Sequence, residues 1–493
     1  MKKCDLLIVT APVTDTAYPL QAPAVIKSAV IKHGFTAHTY DINYNFFKEK
    51  DENHDFLKNY FSFGTLDEKT KFVIVQEYVD NVCKKVIDMF EPRYIAVSIF
   101  TYQCQTFAKM FAQSIKKLNK NIRIIFGGQG LTTQGIESKI TWAEDFKKLG
   151  FLDHYIISEG ENAIVNLLQE GKGKGIDNLD WMQETDLDKF AYPDYKDYNL
   201  DDYDSQTLMI TGSRGCVRKC SFCDIHKHWK KFVFRSGQSI ANEMIYQSEK
   251  YKKYRFHFTD SLINGSMKAY RDFITIMAKH NENAVNKIRW RGQFIVRGKK
   301  SMTADDWTLT KLSGAEDFAI GVESGSENVR DHMKKQFSDN DLDEFMYFLN
   351  LHDIKSTFLI IIGYPTETWE DFLQTLKMFK KYRKYKNVIQ NIQLGSTLGI
   401  LPGTPLADEY KDDIEMNNGE NFWIYSKNPS LDFKERIKRR IIAEEECRKM
   451  GYHLDEDTGQ FKLLQYLWNI YKKNQKQNLH DLNTDNLYSQ KYS

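Results

Sequence analysis

Short apolar runs alternate with amphipathic stretches along the first part of the chain. CDLLIVTAP (4–12) is a compact β-prone run ending in a loop, the pattern of a buried parallel strand. APAVIKSAVIKHG follows with helical spacing, and Gly34 stands where that helix should stop. FTAHTYDIN gives a second strand ending at Asp41, YIAVSIF (94–100) a third and IRIIFGG (122–128) a fourth, with a helix over about 104–118 between the last two. HYIISEGE (154–161) follows, then a short helix, AIVNLLQ. Strands alternating with helices predict a parallel sheet with right-handed crossovers. Residues 1–175 therefore read as a doubly wound, Rossmann-like α/β domain, whose ligands would sit at the carboxyl ends of the strands.

The pattern then breaks. GKGKGIDNLD leads into an Asp- and Tyr-rich stretch with Pro193, and residues 176–205 read as a linker that wraps between domains. From TLMITGSRGC a second alternation begins. Its strands are TLMIT (207–211), RFHFTD (255–260), IRWRGQF (288–294), DFAIGVES (317–324), STFLIIIG (356–363) and NIQLGSTLG (391–399). Helical stretches such as SIANEMIYQSEKY and TWEDFLQTLKMFKKY lie between them. Six such units over residues 206–410 fit a partial (β/α)6 barrel, again with its site at the carboxyl ends of the strands. Residues 411–493 read as a helical C-terminal region whose basic run, in FKERIKRRIIAEEECRKM, is a solvated face. The last 20 or so residues have the composition of a disordered tail.

Composition narrows the classes. The chain has 493 residues, a net charge of +2 and 41% hydrophobic residues, enough for two to four domains at roughly 100–200 residues each. Balanced charge gives no general attraction to nucleic acid or anionic membrane. No signal peptide and no run of about 18 apolar residues is present, so a cytoplasmic protein without membrane segments is expected. Of the seven cysteines, Cys4, Cys83, Cys104 and Cys447 are scattered and suit buried apolar positions. The other three fall within eight residues.

Those three lie in SRGCVRKCSFCDIH, as Cys216, Cys220 and Cys223 with C-x3-C-x2-C spacing, just after the first strand of the second alternation. Three thiolates on one tight loop can hold three corners of an iron–sulfur cubane and leave one iron open. Arg214, Arg218 and Lys219 flank them and would favour the thiolate form. Zinc is the alternative, in a closed Cys3His site completed by His226 or His228.

The segment resembles the signature of the radical S-adenosylmethionine (SAM) superfamily, with Phe222 as its aromatic residue. Several downstream segments are similar to that family as well. The resemblance places Asp260 at a strand end lining the SAM pocket, Gln293 and Arg297 of WRGQFIVRG near the SAM carboxylate, and Glu323 with Ser324 at the SAM ribose. It places Ile361 and Gly363 of IIIGYPTETWEDF at the adenine, and LPGTPL (401–406) resembles the loop that closes many such barrels. Each residue also has a purely structural reading: Asp260 as a helix cap, Ser324 to Glu327 as a capping box, Gly363 as a turn residue. The resemblance implies a 4Fe-4S cluster, SAM cleavage to a 5′-deoxyadenosyl radical, and an electron donor such as flavodoxin or ferredoxin.

The N-terminal domain resembles the cobalamin-binding type placed before the barrel in one branch of that superfamily. Ser98 and Thr101 at a strand end, Gly127 and Gly128, and Glu159 in SEGEN are its matching positions. The Asp-x-His-x-x-Gly motif that supplies an axial histidine is absent, as it commonly is in this branch. A Rossmann-like module that merely packs on the barrel remains the alternative. With cobalamin, the resemblance implies methylation of an unactivated carbon on a small molecule or peptide; without it, cyclisation, rearrangement or methylthio transfer. A zinc- or corrinoid-binding regulatory module is the non-enzymatic reading. No nucleic-acid groove is legible in the barrel, and the sequence identifies no catalytic residue.

Overall fold

β1 (Cys4–Thr10) is buried at every position except Asp5, as a strand covered on both faces must be. In the computed structural model, which describes residues 3–454 apart from 65–70, 132–140, 179–181, 299, 396–397 and 417–419, it lies inside a five-stranded sheet. The order is β2-β1-β3-β4-β5, with β2 (Ala37–Tyr40), β3 (Pro92–Ser98), β4 (Arg123–Gly127) and β5 (His154–Ile156), and every pair is parallel. Alternate side chains separate into two cores. Leu7, Val9, Ile95, Val97, Ile124 and Phe126 pack on one face, Leu6, Ile8, Tyr94, Ala96 and Ile125 on the other. The register brings Thr10, Ser98, Gly127 and Ile156 into one row at the carboxyl edge. Helices Ile42–Lys48, His54–Phe63 and Phe72–Phe90, between β2 and β3, are additions to the elements the strand pattern predicts.

The linker is held down by polar contacts. Lys27, 3% exposed, is surrounded by Asp197 at 2.7 Å and Asp194 at 3.5 Å. Asp197 also accepts from the Thr39 backbone, and Tyr203 donates to Asp41.

The chain divides into two compact units. One comprises residues 1–219, 223–318 and 402–404; the other 220–222, 319–401 and 405 onward. The boundary falls inside a strand instead of at the linker. Beyond the five-stranded sheet, the first unit holds β6 (Thr207–Ile210), a two-residue hairpin of β7 (Ser213–Arg214) and β8 (Val233–Phe234), β9 (Arg255–Phe258), β10 (Arg289–Phe294) and the start of β11 (Ala315–Glu323). Its strand order is β6-β9-β10-β11. In the second unit the end of β11 is followed by β12 (Lys355–Ile360) and β13 (Ile389–Leu394), the latter two parallel. Helices separate the successive strands. Those opening at Thr303, Ser338 and Thr368 each carry a complete capping box.

The C-terminal region differs from expectation in two ways. It contains a hairpin, β14 (Ile414–Met416) and β15 (Trp423–Tyr425), before the helix Phe433–Lys449. The basic run on that helix is not a solvated face, because Arg436, Arg439 and Arg440 are all buried. The Arg436 guanidinium lies 3.7 Å from the Trp423 ring centre and donates to the carbonyls of Trp423, Leu431 and Asn421. Burial pulls its pKa down to about 9. The expected tail beyond residue 454 lies outside the described residues.

Candidate active site

In the first unit, the chain leaving β6 is fixed by Asp260. Its carboxylate accepts from the Gly212 N–H at 2.8 Å and the Ser213 hydroxyl at 2.6 Å. Asp260 is 3% exposed, and burial pushes its pKa up to about 7 despite those bonds. It caps no helix; Ser266 caps the helix that follows. Arg214 comes next and is clamped by two carboxylates of the N-terminal domain, Glu159 at 2.5 Å and Glu161. Its guanidinium also lies over the rings of Phe190 and Trp229. Arg214 is thus neutralised locally instead of serving the thiolates, and Glu159 is engaged with Arg214 and the Glu184 N–H. The signal for this clamp was the Glu-Gly-Glu of SEGEN, whose partner only the fold reveals.

Gly215 adopts φ +85°, and a Cβ there would meet the Lys231 carbonyl oxygen at 2.6 Å. The turn into the cysteine loop therefore requires glycine. Cys216 and Cys223 are half-buried, and the Arg218 N–H points at the Cys216 sulfur at 3.4 Å, a contact that favours thiolate. None of the seven cysteines is in a disulfide. Among the described residues, no three His, Cys, Asp or Glu side chains are already gathered around a metal-sized space.

The donor set nevertheless discriminates between metals. A closed zinc site needs a fourth ligand. His226 Nε2 is 2.7 Å from the Arg218 carbonyl, so that nitrogen donates its proton there and cannot ligate a metal in this arrangement. His228 Nε2 lies 3.4 Å from the Gln129 amide and 3.8 Å from Asp224. Three soft thiols on one loop with no committed fourth ligand fit a cubane with one open iron.

The other predicted residues of this unit are partly committed. Arg297 donates to the carbonyls of Asn264 at 2.9 Å and Gly265 at 2.8 Å, and burial beside Arg218 and Arg271 lowers its pKa. The Gln293 side chain is exposed, while its carbonyl accepts from Ile263.

In the second unit, Cys220 is buried and its neighbour Ser221 is anchored by backbone bonds to Met333 and Leu406. The Ser221 hydroxyl lies 2.8 Å from that of Tyr364. Phe222 packs against the cluster of Val329, Met333, Tyr364 and Trp423. Glu323 ends β11 with φ +65°, its carbonyl accepting from the Ile361 N–H at 2.8 Å and its Oε1 paired with Lys335 at 3.0 Å. A Cβ at Gly321 would strike that carboxylate, so the glycine lets Glu323 fold back along the strand. Ser324 is fully buried, its hydroxyl engaged with the Ser326 N–H and Thr375. The cap of the next helix is Ser326. Gly363, at φ +80°, packs against the Arg436 stem and donates to buried Glu367 at 3.2 Å. Burial pushes Glu367 up to about 7, against the pull of Arg439 at 3.0 Å.

At the carboxyl edge of the five-stranded sheet, Ser98 and Gly127 stand level in the register. A Cβ on Gly127 would find its nearest neighbour 3.8 Å away, so no crowding within the protein demands glycine there. Gly128 is different: at φ +112° its missing Cβ would meet the Ile99 carbonyl at 2.5 Å, so the glycine serves the close approach of two loops. The Thr101 hydroxyl faces the Cys104 sulfur at 3.6 Å. The loop between β1 and the helix that follows it contains no histidine.

Residues 210–379 match the radical SAM superfamily. The chain carries that domain and is a radical SAM enzyme. Its fold is similar to that of two cobalamin-dependent members. One is OxsB, solved with aqua-cobalamin and SAM (TM-score 0.64, 13% identity, 99% of this chain and 70% of that one). The other is the methyltransferase TsrM from Kitasatospora setae, solved with tryptophan and a SAM analogue (TM-score 0.63, 12% identity, 90% and 89%). By sequence it is similar to a tRNA-2-methylthio-N(6)-dimethylallyladenosine synthase of Sulfurihydrogenibium, 24% identical over 67% of this chain and 74% of the relative. It is also similar to an anaerobic magnesium-protoporphyrin IX monomethyl ester cyclase of Synechocystis, 24% identical over 40% and 37%. An uncharacterised methyltransferase of Pyrococcus horikoshii is 22% identical over 60% and 66%. Among the described residues no helix is long and apolar enough to cross a membrane.

Proposed function

We propose that this radical SAM enzyme carries cobalamin on its N-terminal sheet and methylates an unactivated carbon of a small-molecule or peptide substrate. The observation that carries this reading is the carboxyl edge of the β2-β1-β3-β4-β5 sheet. The strand order reverses between β1 and β3, where ligands of such sheets bind. Ser98 and Gly127 stand level there, next to a buried Thr10 that donates to Asp41. Resemblance to cobalamin-bound structures supports the same reading.

When bound, the cluster held by Cys216, Cys220 and Cys223 supplies the electron for SAM cleavage and the corrinoid a carrier for the methyl group. A donor such as flavodoxin or ferredoxin would supply that electron. The chain's own residues do the positioning. Asp260 and the Arg214 clamp fix the entrance to the cysteine loop, Ser221 anchors its middle, and Glu323 presents a carboxylate at a strand end for the SAM ribose.

Methylthio transfer is the reading suggested by the synthase relatives. The N-terminal cysteines do not support it. Cys4 and Cys83 lie against the carbonyls of Phe90 and Phe111 respectively, and Cys104 against that of Val13. Burial raises all three thiols, Cys4 to about 12. They are separate core residues, not a second ligand set.

Anaerobically reconstituted protein, incubated with hydroxocobalamin and passed through gel filtration, should retain the corrinoid. With SAM and dithionite it should yield 5′-deoxyadenosine or S-adenosylhomocysteine. Retention without S-adenosylhomocysteine in the presence of substrate defeats methyl transfer; loss of the corrinoid defeats the cobalamin reading; absence of any SAM product defeats SAM cleavage and methyl transfer alike.

A further inference from the structure

Three adjacent strands of the first unit present polar side chains that the cysteine loop does not use. Phe258 packs on Phe273 and Trp290, and Trp290 and Phe294 pack on Phe318, so these aromatics define the helix-covered face of β9, β10 and β11. Residues one position away point to the opposite face. They are His257, directly paired with Arg291 in the register, and Asp317 on β11. Tyr18, from the loop after β1, stands edge-on to His257 at 5.7 Å. At the strand ends nearby, the Thr211 hydroxyl bonds Gln21 at 2.6 Å and Thr259 at 2.7 Å.

This face is chemically incomplete. The Arg291 guanidinium makes no hydrogen bond or ion pair with any described residue, although it is close enough to act electrostatically on Tyr18, His257 and Asp317. Oδ1 of Asp317 and Nδ1 of His257 are both inaccessible to solvent and lack a partner. Buried polar atoms are nearly always satisfied, and a cation beside two orphaned atoms is costly unless something completes them. Burial also lowers the His257 pKa to about 4, so the imidazole is neutral and does not compete with Arg291 for an anion.

We propose that Arg291, Asp317 and His257 form a substrate subsite for an organic anion, whose carboxylate or phosphate takes Arg291 and whose neighbouring donor group takes Asp317. The subsite deepens the enzymatic reading above and rests on it for the word substrate. Arg291 suits this role because its planar fork matches either oxyanion. An ammonium, amide or hydroxyl beside the anion would bond the Asp317 carboxylate, whose side chain has to turn to bring Oδ1 out to it.

The test is ligand-observed saturation-transfer NMR on the full-length chain, reconstituted anaerobically, with glycine, acetate and methyl phosphate as separate probes. Wild type should bind at least one of them, and Arg291→Gln should lose about tenfold or more in that affinity, the scale of one charged hydrogen bond. Acetate and glycine binding assigns a carboxylate; methyl phosphate binding assigns a phosphate. Asp317→Asn should weaken glycine and leave acetate unchanged. Arg291→Lys, which keeps the charge, should recover part of the loss and guards against misfolding in the glutamine variant. Equal affinities in wild type and Arg291→Gln, no binding of any probe to wild type, or displacement of the bound probe by SAM overturns the proposal. Cluster absorbance is recorded in parallel: binding that depends on Arg291 in a chain that forms no cluster leaves the subsite standing and removes the enzyme.

Discussion

At the scale of single residues, the cysteine spacing carries a direct expectation. Replacing Cys216, Cys220 and Cys223 together with alanine should abolish iron binding and the visible absorbance of the reconstituted protein, with far-UV circular dichroism unchanged; iron retained at wild-type stoichiometry would contradict the assignment. Asp260 gives a prediction about pH. Its pKa rises from 3.8 to about 7 on folding because burial outweighs the bonds from Ser213 and Gly212. The native state therefore holds more protons than the unfolded chain across that interval, and stability is lost as pH rises through it. Asp260→Asn removes this linkage. Denaturant unfolding of both proteins should show the variant gaining relative to wild type between about pH 4 and pH 7, and a constant difference would argue against the raised pKa. The type of Asp260 was legible in the sequence because it ends an apolar run. Its partners were not, since Gly212 and Ser213 lie 48 and 47 positions away and meet it only when β6 and β9 pair.

At the scale of elements, the join between the helix Gly160–Glu170 and the hairpin strand β7 is the Arg214 clamp. Removing one partner of a buried ion pair leaves uncompensated charge, so Arg214→Ala should cost about 3–5 kcal/mol in chemical denaturation. Arg214→Lys should cost less but not nothing, because an ammonium cannot span two carboxylates as a fork does. A loss below about 1 kcal/mol for the alanine variant would show that the carboxylates find other partners. One residue further on, Gly215→Ala must force a side chain into a left-handed turn against the Lys231 carbonyl. It should destabilise by about 1–3 kcal/mol and lower the iron retained after desalting. Strand and helix alternation marks the helix beforehand through AIVNLLQ, but not the two-residue strand β7, which is too short to show a period. The helix Phe433–Lys449 was visible too, but its buried arginines were misjudged, because periodicity cannot distinguish a charged face that meets water from one that meets Trp423 and backbone carbonyls.

At the scale of the whole molecule, the first compact unit joins the N-terminal sheet to β6, β9 and β10, and the linker does not separate them. Gln21 with Thr211 and the Arg214 clamp cross that linker, while Lys27 with Asp194 and Asp197 pins the linker itself to the N-terminal domain. A single proteolytic nick between residues 172 and 189 should therefore leave the N-terminal sheet and strands β6, β9 and β10 unfolding in one transition, followed by fluorescence and circular dichroism together. Release of a separately folding fragment 1–171 would contradict this.

The sequence alone determined the two β/α series, the spacing of the three clustered cysteines and the resemblance to the superfamily. Each of these depends on local periodicity or on spacing within a few residues, which survive in one dimension. Only the tertiary structure decided what the polar residues between the motifs do. Arg214 serves a clamp, Ser324 and Gly128 serve packing, and Arg291, Asp317 and His257 gather on one face with bonds unmade. Such roles depend on partners tens to hundreds of positions away, and burial, which sets both their energy and their pKa, exists only once the strands have paired.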